Sequence, residues 1–141
     1  MMPMVKTTLI ALLAIAAALP LAACGSSPNG NTTVAKAPVA TADKANVGRV
    51  VVDGQGRTLY RFTAEAQGRP VCAGACLQTW LPATASGTSG LPAHVATVRR
   101  DDGVLQLTYD GHPLYRYAGD RSKADANGEG VGGQWYVVKA G

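Results

Sequence analysis

The sequence predicts a small all-β domain, a sandwich or barrel, built from two tandem copies of one unit. Three observations carry this expectation. Six short segments rich in β-branched and aromatic residues are set apart by Gly, Asp or Asn. No stretch keeps an apolar helical period for three turns. A series of residues also recurs at a fixed spacing of 55 positions.

In chain order the expected strands are "VGRVVV" (47–52), "RTLYRFT" (57–63), "HVATVRR" (94–100), "VLQLTYD" (104–110), "HPLYRYA" (112–118) and "QWYVVK" (134–139). "CAGACLQTW" is the one place for a short helix or an irregular segment. Alternation along a strand sends Tyr60 and Phe62 to one face and Leu59, Arg61 and Thr63 to the other. Tyr115 and Tyr117 repeat this opposite Leu114 and Arg116. The aromatic face, joined by Trp80 and Trp135, is read as the core. A buried tyrosine needs a partner for its hydroxyl. Glu65 and Asp120, each five residues further on, are placed to provide it or to cap the turn that follows.

Shifting the sequence by 55 residues lays Gly48 on Gly103, Gly56 on Gly111, Leu59 on Leu114, Tyr60 on Tyr115 and Arg61 on Arg116. The same shift lays Phe62 on Tyr117, Glu65 on Asp120 and Trp80 on Trp135, with no gap. The copies run from about 47–82 and 102–137. Chains of about 40 residues rarely bury enough apolar surface to fold alone. The copies are therefore expected to pack as two halves of one domain, residues 47–141, with approximate twofold symmetry.

The start of the chain reads as a targeting segment. Lys6 precedes eleven apolar residues from Leu9 to Leu19, ended by Pro20. That run is too short for a membrane-spanning helix, which needs about 20 residues, and it suits a cleavable secretory signal. "Leu21-Ala22-Ala23-Cys24" resembles the lipobox of bacterial lipoproteins, which implies cleavage after residue 23 and acylation of Cys24 with chains of the palmitate class. Several chains on one residue anchor a protein stably to a membrane. Gly25 follows the cysteine, where Asp is the inner-membrane retention signal in enteric bacteria, so the outer membrane is expected in a host that has one. Residues 25–46 are rich in Gly, Ser, Thr, Ala, Asn and Pro. They read as a flexible tether with a reach of up to about 70 Å at roughly 3.3 Å per residue.

Without Lys6, twelve basic residues face nine acidic ones. The basic residues are scattered and not gathered on one element, which argues against nucleic-acid binding.

With Cys24 lipidated, Cys72 and Cys76 remain as a pair in an oxidising compartment and are expected to be disulfide bonded. Their structural reading is a staple for the segment that carries Trp80. The functional alternative is a reversible redox pair, favoured by the small Gly-containing loop. A thiolate metal site lacks a nearby His to complete it. His94 and His112 read as loop or strand-end residues and not as haem or copper ligands. Asp120, Asp125, Asn127 and Glu129 cluster among glycines, yet the twelfth position counted from Asp125 is Tyr136, not the Glu of an EF-hand loop. That stretch reads as a solvated turn. No Gly-x-Ser-x-Gly elbow is present for hydrolase chemistry.

"GRTLYRFTAE", "CAGACLQTWLP", "DGVLQLTYDGHPLYRYAGD" and "DANGEGVGGQWYVV" together resemble the bacterial secreted-repeat lipoproteins that carry a Tyr-x-aromatic-x-x-Asp motif, a family of unassigned function. The resemblance covers 47–141, with Asp125, Gly128, Gly130 and Trp135 at expected places. Glu65 stands where that family usually has Asp, and Trp80-Leu81-Pro82 replaces Trp-Pro-Pro. The resulting expectation is a membrane-anchored, extracytoplasmic binding or envelope-structural module. It would have no catalytic residues and no cofactor, and its partner would be an envelope protein or a small ligand. The alternative is an electron-transfer or thiol-redox lipoprotein working through Cys72 and Cys76.

Overall fold

The computed structural model describes residues 37–65 and 68–141. The expected signal (1–23), Cys24 and the first part of the expected tether lie outside the described residues. The chain forms strands β1 (Val39–Lys44), β2 (Gly48–Asp53), β3 (Tyr60–Phe62), β4 (Trp80–Pro82), β5 (Val95–Arg99), β6 (Leu105–Tyr109), β7 (His112–Pro113), β8 (Tyr115–Tyr117) and β9 (Trp135–Val137). A one-turn helix, α1 (Cys76–Thr79), falls inside "CAGACLQTW". The strands pair antiparallel in three sheets, β1-β2, β4-β8-β3-β9 and β5-β6-β7. Bridges Val50↔Lys139 and Thr84↔Gln106 connect the two hairpin sheets to the ends of the central one.

The duplication is built into the central sheet. At its middle, Tyr60 of β3 pairs with Tyr115 of β8, the same residue of the two copies. On one side β3 pairs with β9 through Tyr60↔Val137, Arg61↔Tyr136 and Phe62↔Trp135. On the other, β8 pairs with β4 in the matching register, through Tyr115↔Pro82, Arg116↔Leu81 and Tyr117↔Trp80. Each copy therefore lends its last strand to the other copy's aromatic strand, and neither half closes its sheet alone. The 3-10 turn Val131–Gly133 occupies the position of α1 in the second copy.

Several expectations need correction. The stretch read as tether contributes β1, because "VATADK" finds its partner in β2 and buries Val39 and Lys44, the latter with its Nζ donating to the Gly56 carbonyl at 3.0 Å. β4 was not expected as a strand. "RTLYRFT" and "HPLYRYA" are strands only in part: Leu59 and Leu114 donate to Val51 and Leu107, which turns the backbone toward the hairpins. The single offset also slips by one residue in the hairpins, where Leu107 and not Gln106 takes the place of Val51. Gly48 and Gly103 are consequently not equivalent. The cause is a shorter turn in the second copy. Asp110 and Gly111, both with positive φ, close a two-residue hairpin, where the first copy uses Gly54, Gln55 and Gly56 between Asp53 and Arg57.

The aromatic face of the central sheet is buried as expected, and a second core cluster forms beyond the ends of its strands. Tyr60, Trp80, Tyr115 and Trp135 pack with Val50, Val52 and Cys72 on the aromatic side. Leu59, Leu114, Val51, Leu107, Ala83 and Val138 form the second cluster next to the strand ends, while the sheet's opposite face carries Arg61, Leu81, Arg116 and Tyr136, none of them buried. The sheet's two outer edges are closed at equivalent positions by different means. Pro82 on β4 has no N–H, and Val137 on β9 donates to Glu129 Oε2 at 2.6 Å. Replacing Glu129 by Ala leaves that N–H unpaired in a residue only 3% exposed. The expected loss is about 1–3 kcal/mol in urea unfolding, with Glu129→Gln keeping most of the stability. An unchanged midpoint in Glu129→Ala would mean that the bond does not protect the edge.

Candidate functional site

Alternation along β3 and β8 and the shared register of β4 and β9 bring all the aromatic motif residues together. Phe62, Trp135, Trp80 and Tyr117 form one continuous stack, with centroid separations of 4.4, 3.8 and 4.5 Å. Tyr60 meets Trp80 edge-on at 5.4 Å, and Tyr115 meets Trp135 in the same way at 5.2 Å. The Trp80–Trp135 contact lies where the two copies are related by symmetry. Aromatic pairs of this kind contribute about 0.5–1.5 kcal/mol each beyond their area burial.

The two motif carboxylates do not serve the tyrosines of their own copies. Tyr60 Oη donates to Asp120 Oδ2 and Tyr115 Oη donates to Glu65 Oε1, each at 2.6 Å. A turn closed by Glu65 N–H to Phe62 and another by Asp120 N–H to Tyr117 carry each carboxylate over the neighbouring strand, away from its own. Both carboxylates also hold the loop that follows. Glu65 Oε1 accepts the N–H groups of Val71 and Cys72, and Asp120 Oδ1 accepts that of Asn127, the residue equivalent to Cys72. The glutamate in place of aspartate makes the same cross-copy bond at the same length.

Burial, followed by the hydrogen bond to Asp120, pushes the Tyr60 phenol well above its usual range. Burial and then the bond to Glu65 do the same at Tyr115. Around the Tyr115–Glu65 bond a buried cation completes the network. Arg100 donates to the Cys72 carbonyl at 2.6 Å, to Gln106 Oε1 at 2.8 Å and to Tyr115 Oη at 3.3 Å. Sequence reasoning counted Arg100 only among scattered basic residues, since nothing in "VRRDDG" separates it from its exposed neighbour Arg99. At the Tyr60–Asp120 bond the corresponding donor is main chain: Gly128 N–H bonds Tyr60 Oη at 3.2 Å.

Cys72 and Cys76 form the expected disulfide, with Cα atoms 5.5 Å apart. Cys72 is buried against the aromatic cluster and Cys76 packs on its border. The second copy has Asn127 and Val131 at those positions. Its 120–130 loop is organised by Asp125, which accepts from the Arg121 and Ser122 N–H groups and from Ser122 Oγ. The Arg121 N–H, more than the Ser122 donors, holds the Asp125 carboxyl below its usual range. Among the described residues no group of three His, Cys, Asp or Glu is arranged to hold a metal ion. His94 Nδ1 lies 2.7 Å from Asp110 Oδ1 on an exposed hairpin, and His112 begins β7.

Two measurements test this centre. A Cβ at Gly128 would lie 2.8 Å from the Tyr60 ring and 2.9 Å from Trp80. Gly128→Ala is therefore expected to cost about 1–3 kcal/mol by overpacking, and a neutral result in thermal unfolding would contradict the packing. In alkali, an unfolded tyrosine ionises near pH 10, while folded Tyr60 and Tyr115 keep their protons to higher pH. Above about pH 10 the unfolded state then binds fewer protons, so stability is complete below that pH and falls as pH rises. Phenolate absorbance should show Tyr60→Phe and Tyr115→Phe shrinking only the step that accompanies unfolding.

Residues 41–84 and 96–139 each match the model of a family described as a secreted repeat of unknown function. No curated protein and no solved structure matches the chain. The two matches start 55 residues apart and together cover more than half of the sequence, and they contain the paired strands β3, β4, β8 and β9. The chain therefore belongs to this family of secreted repeats of unknown function.

Proposed function

We propose that the protein is a lipid-anchored, non-catalytic binding or structural module of the cell envelope, held outside the cytoplasm through Cys24. The family's description as secreted supports the extracytoplasmic location. "LAAC" supports the anchor, and Gly25 favours the outer membrane where there is one. The single observation that carries the non-catalytic reading is the engagement of the motif itself. Tyr60 and Tyr115 donate to Asp120 and Glu65 across the copies, so the motif's hydroxyls and carboxylates are used to join the two halves. Contact with partners then falls to the loops and grooves around this scaffold.

A thiol-redox role for Cys72 and Cys76 is the second reading, favoured by the half-buried position of Cys76. Against it, the N–H of Cys72 is held by Glu65 and its carbonyl by Arg100, which supports a staple.

Three outcomes are expected. Cys24→Ser should abolish palmitate labelling and release the protein from the membrane fraction; retention in the membrane would remove the anchor. The Cys72–Cys76 couple should titrate below about −300 mV, as structural disulfides do. A value between roughly −270 and −120 mV would make the redox reading the leading one. Photo-crosslinking of the wild-type chain in its host should yield discrete envelope adducts, and their absence would count against a binding module.

A further inference from the structure

The two copies treat one pair of equivalent arginines differently. Arg61 faces Tyr136 across the sheet, and its guanidinium lies 5.8 Å from the centroid of that ring. Arg116, its counterpart, faces Leu81, which offers no such ring. No hydrogen bond or ion pair joins the Arg116 guanidinium to any described residue. Half-buried, it borders two cavities at once, one of about 350 Å³ and one of about 120 Å³. The larger has buried Leu107 and Ala83 in its wall, with Thr84, Gly54 and Gln55 beside them.

The other charges of this groove are already matched. Arg57 lies 3.3 Å from Asp53, and Asp53 Oδ1 accepts the N–H groups of Gln55 and Arg57. Asp120 directs its oxygens to Tyr60 and Asn127. Arg116 alone is left with a planar fork of donors facing open volume, the geometry that receives a carboxylate through two parallel bonds. Small residues beside an apolar wall leave room for an extended chain with small side chains. The one ring bordering the groove among the described residues, Tyr117, is already stacked on Trp80, so no free aromatic face is offered to a sugar.

We propose that the groove at Arg116 binds an acidic peptide segment in extended form, with Arg116 receiving the carboxylate. The inference rests on the binding-module reading and names its site. The test uses the ¹⁵N-labelled full chain and two probes, acetyl-Ala-Gly-Glu-Ala-amide and its Gln analogue. The Glu peptide should saturably shift the amides of Thr84, Leu107 and Arg116 and bind about tenfold more tightly than the Gln peptide, a difference that shrinks with added salt. Arg116→Ala should abolish the preference, and Arg116→Lys should keep part of it. Arg116→Gln serves the same purpose if the Ala variant loses its dispersed spectrum. Equal binding of the two peptides, a preference that survives Arg116→Ala, or capture of a carboxylated amino sugar in place of the peptide overturns the proposal. If the peptides fail while the envelope crosslinks of the wild-type chain persist, the groove is wrong and the module reading stands. Loss of both removes the two together.

Discussion

Tyr60 donates to Asp120 and Tyr115 to Glu65, and each of these bonds joins one copy of the repeat to the other. The rest of the domain is arranged around that exchange. A tyrosine ring can be buried in the middle of the central sheet only if its hydroxyl finds an acceptor, because an unpaired buried hydroxyl costs free energy that packing must offset. The acceptor is available only when the other copy has folded over it. The same carboxylates hold the main chain of the loops that close over the aromatic stack, so burial of the rings, placement of the loops and joining of the halves are one event. This explains why the repeat occurs as a pair: one copy has a tyrosine without an acceptor and a carboxylate without a tyrosine.

Around this symmetric centre the two loops are secured differently. The first is closed by the Cys72–Cys76 disulfide and held from outside by Arg100. A bridge over so few residues restricts the unfolded chain only modestly, by about 2 kcal/mol on the loop-entropy model. The second loop has no cysteines and relies on Asp125 for its turn, on Gly128 for close approach to Tyr60, and on Glu129 to cover the edge of β9. The two solutions meet one requirement, a lid over the rings with its main-chain groups satisfied. They also separate the copies chemically, since only one of them carries a group that responds to reductant.

Symmetry breaking of the same kind carries the functional argument. Residues that keep the twofold relation, the rings and the carboxylates, face inward and are engaged. Arg61 and Arg116 also occupy equivalent positions, but the residues they face differ, and Arg116 borders the cavities without the ring that its counterpart has. A duplicated scaffold can keep its internal contacts fixed while surface positions of one copy diverge, and the groove proposed at Arg116 rests on such a divergence.

By itself the sequence determined the strands with period-two alternation, the duplication, the aromatic face and the disulfide, because alternation and fixed spacing are written along the chain and survive without knowledge of the fold. β1 was not legible, since "VATADK" becomes a strand only against the valines of β2. Tertiary structure alone decided which carboxylate serves which tyrosine. Both copies contain both residues, so the spacing is equally compatible with bonds inside a copy and between copies; the antiparallel pairing of Tyr60 with Tyr115 selects the second. Arg100 and Arg116 were hidden for the same reason. Each lies in a run of ordinary polar residues, and what distinguishes them, a buried carbonyl from Cys72 in one case and an unmatched cavity wall in the other, comes from parts of the chain that only folding brings near.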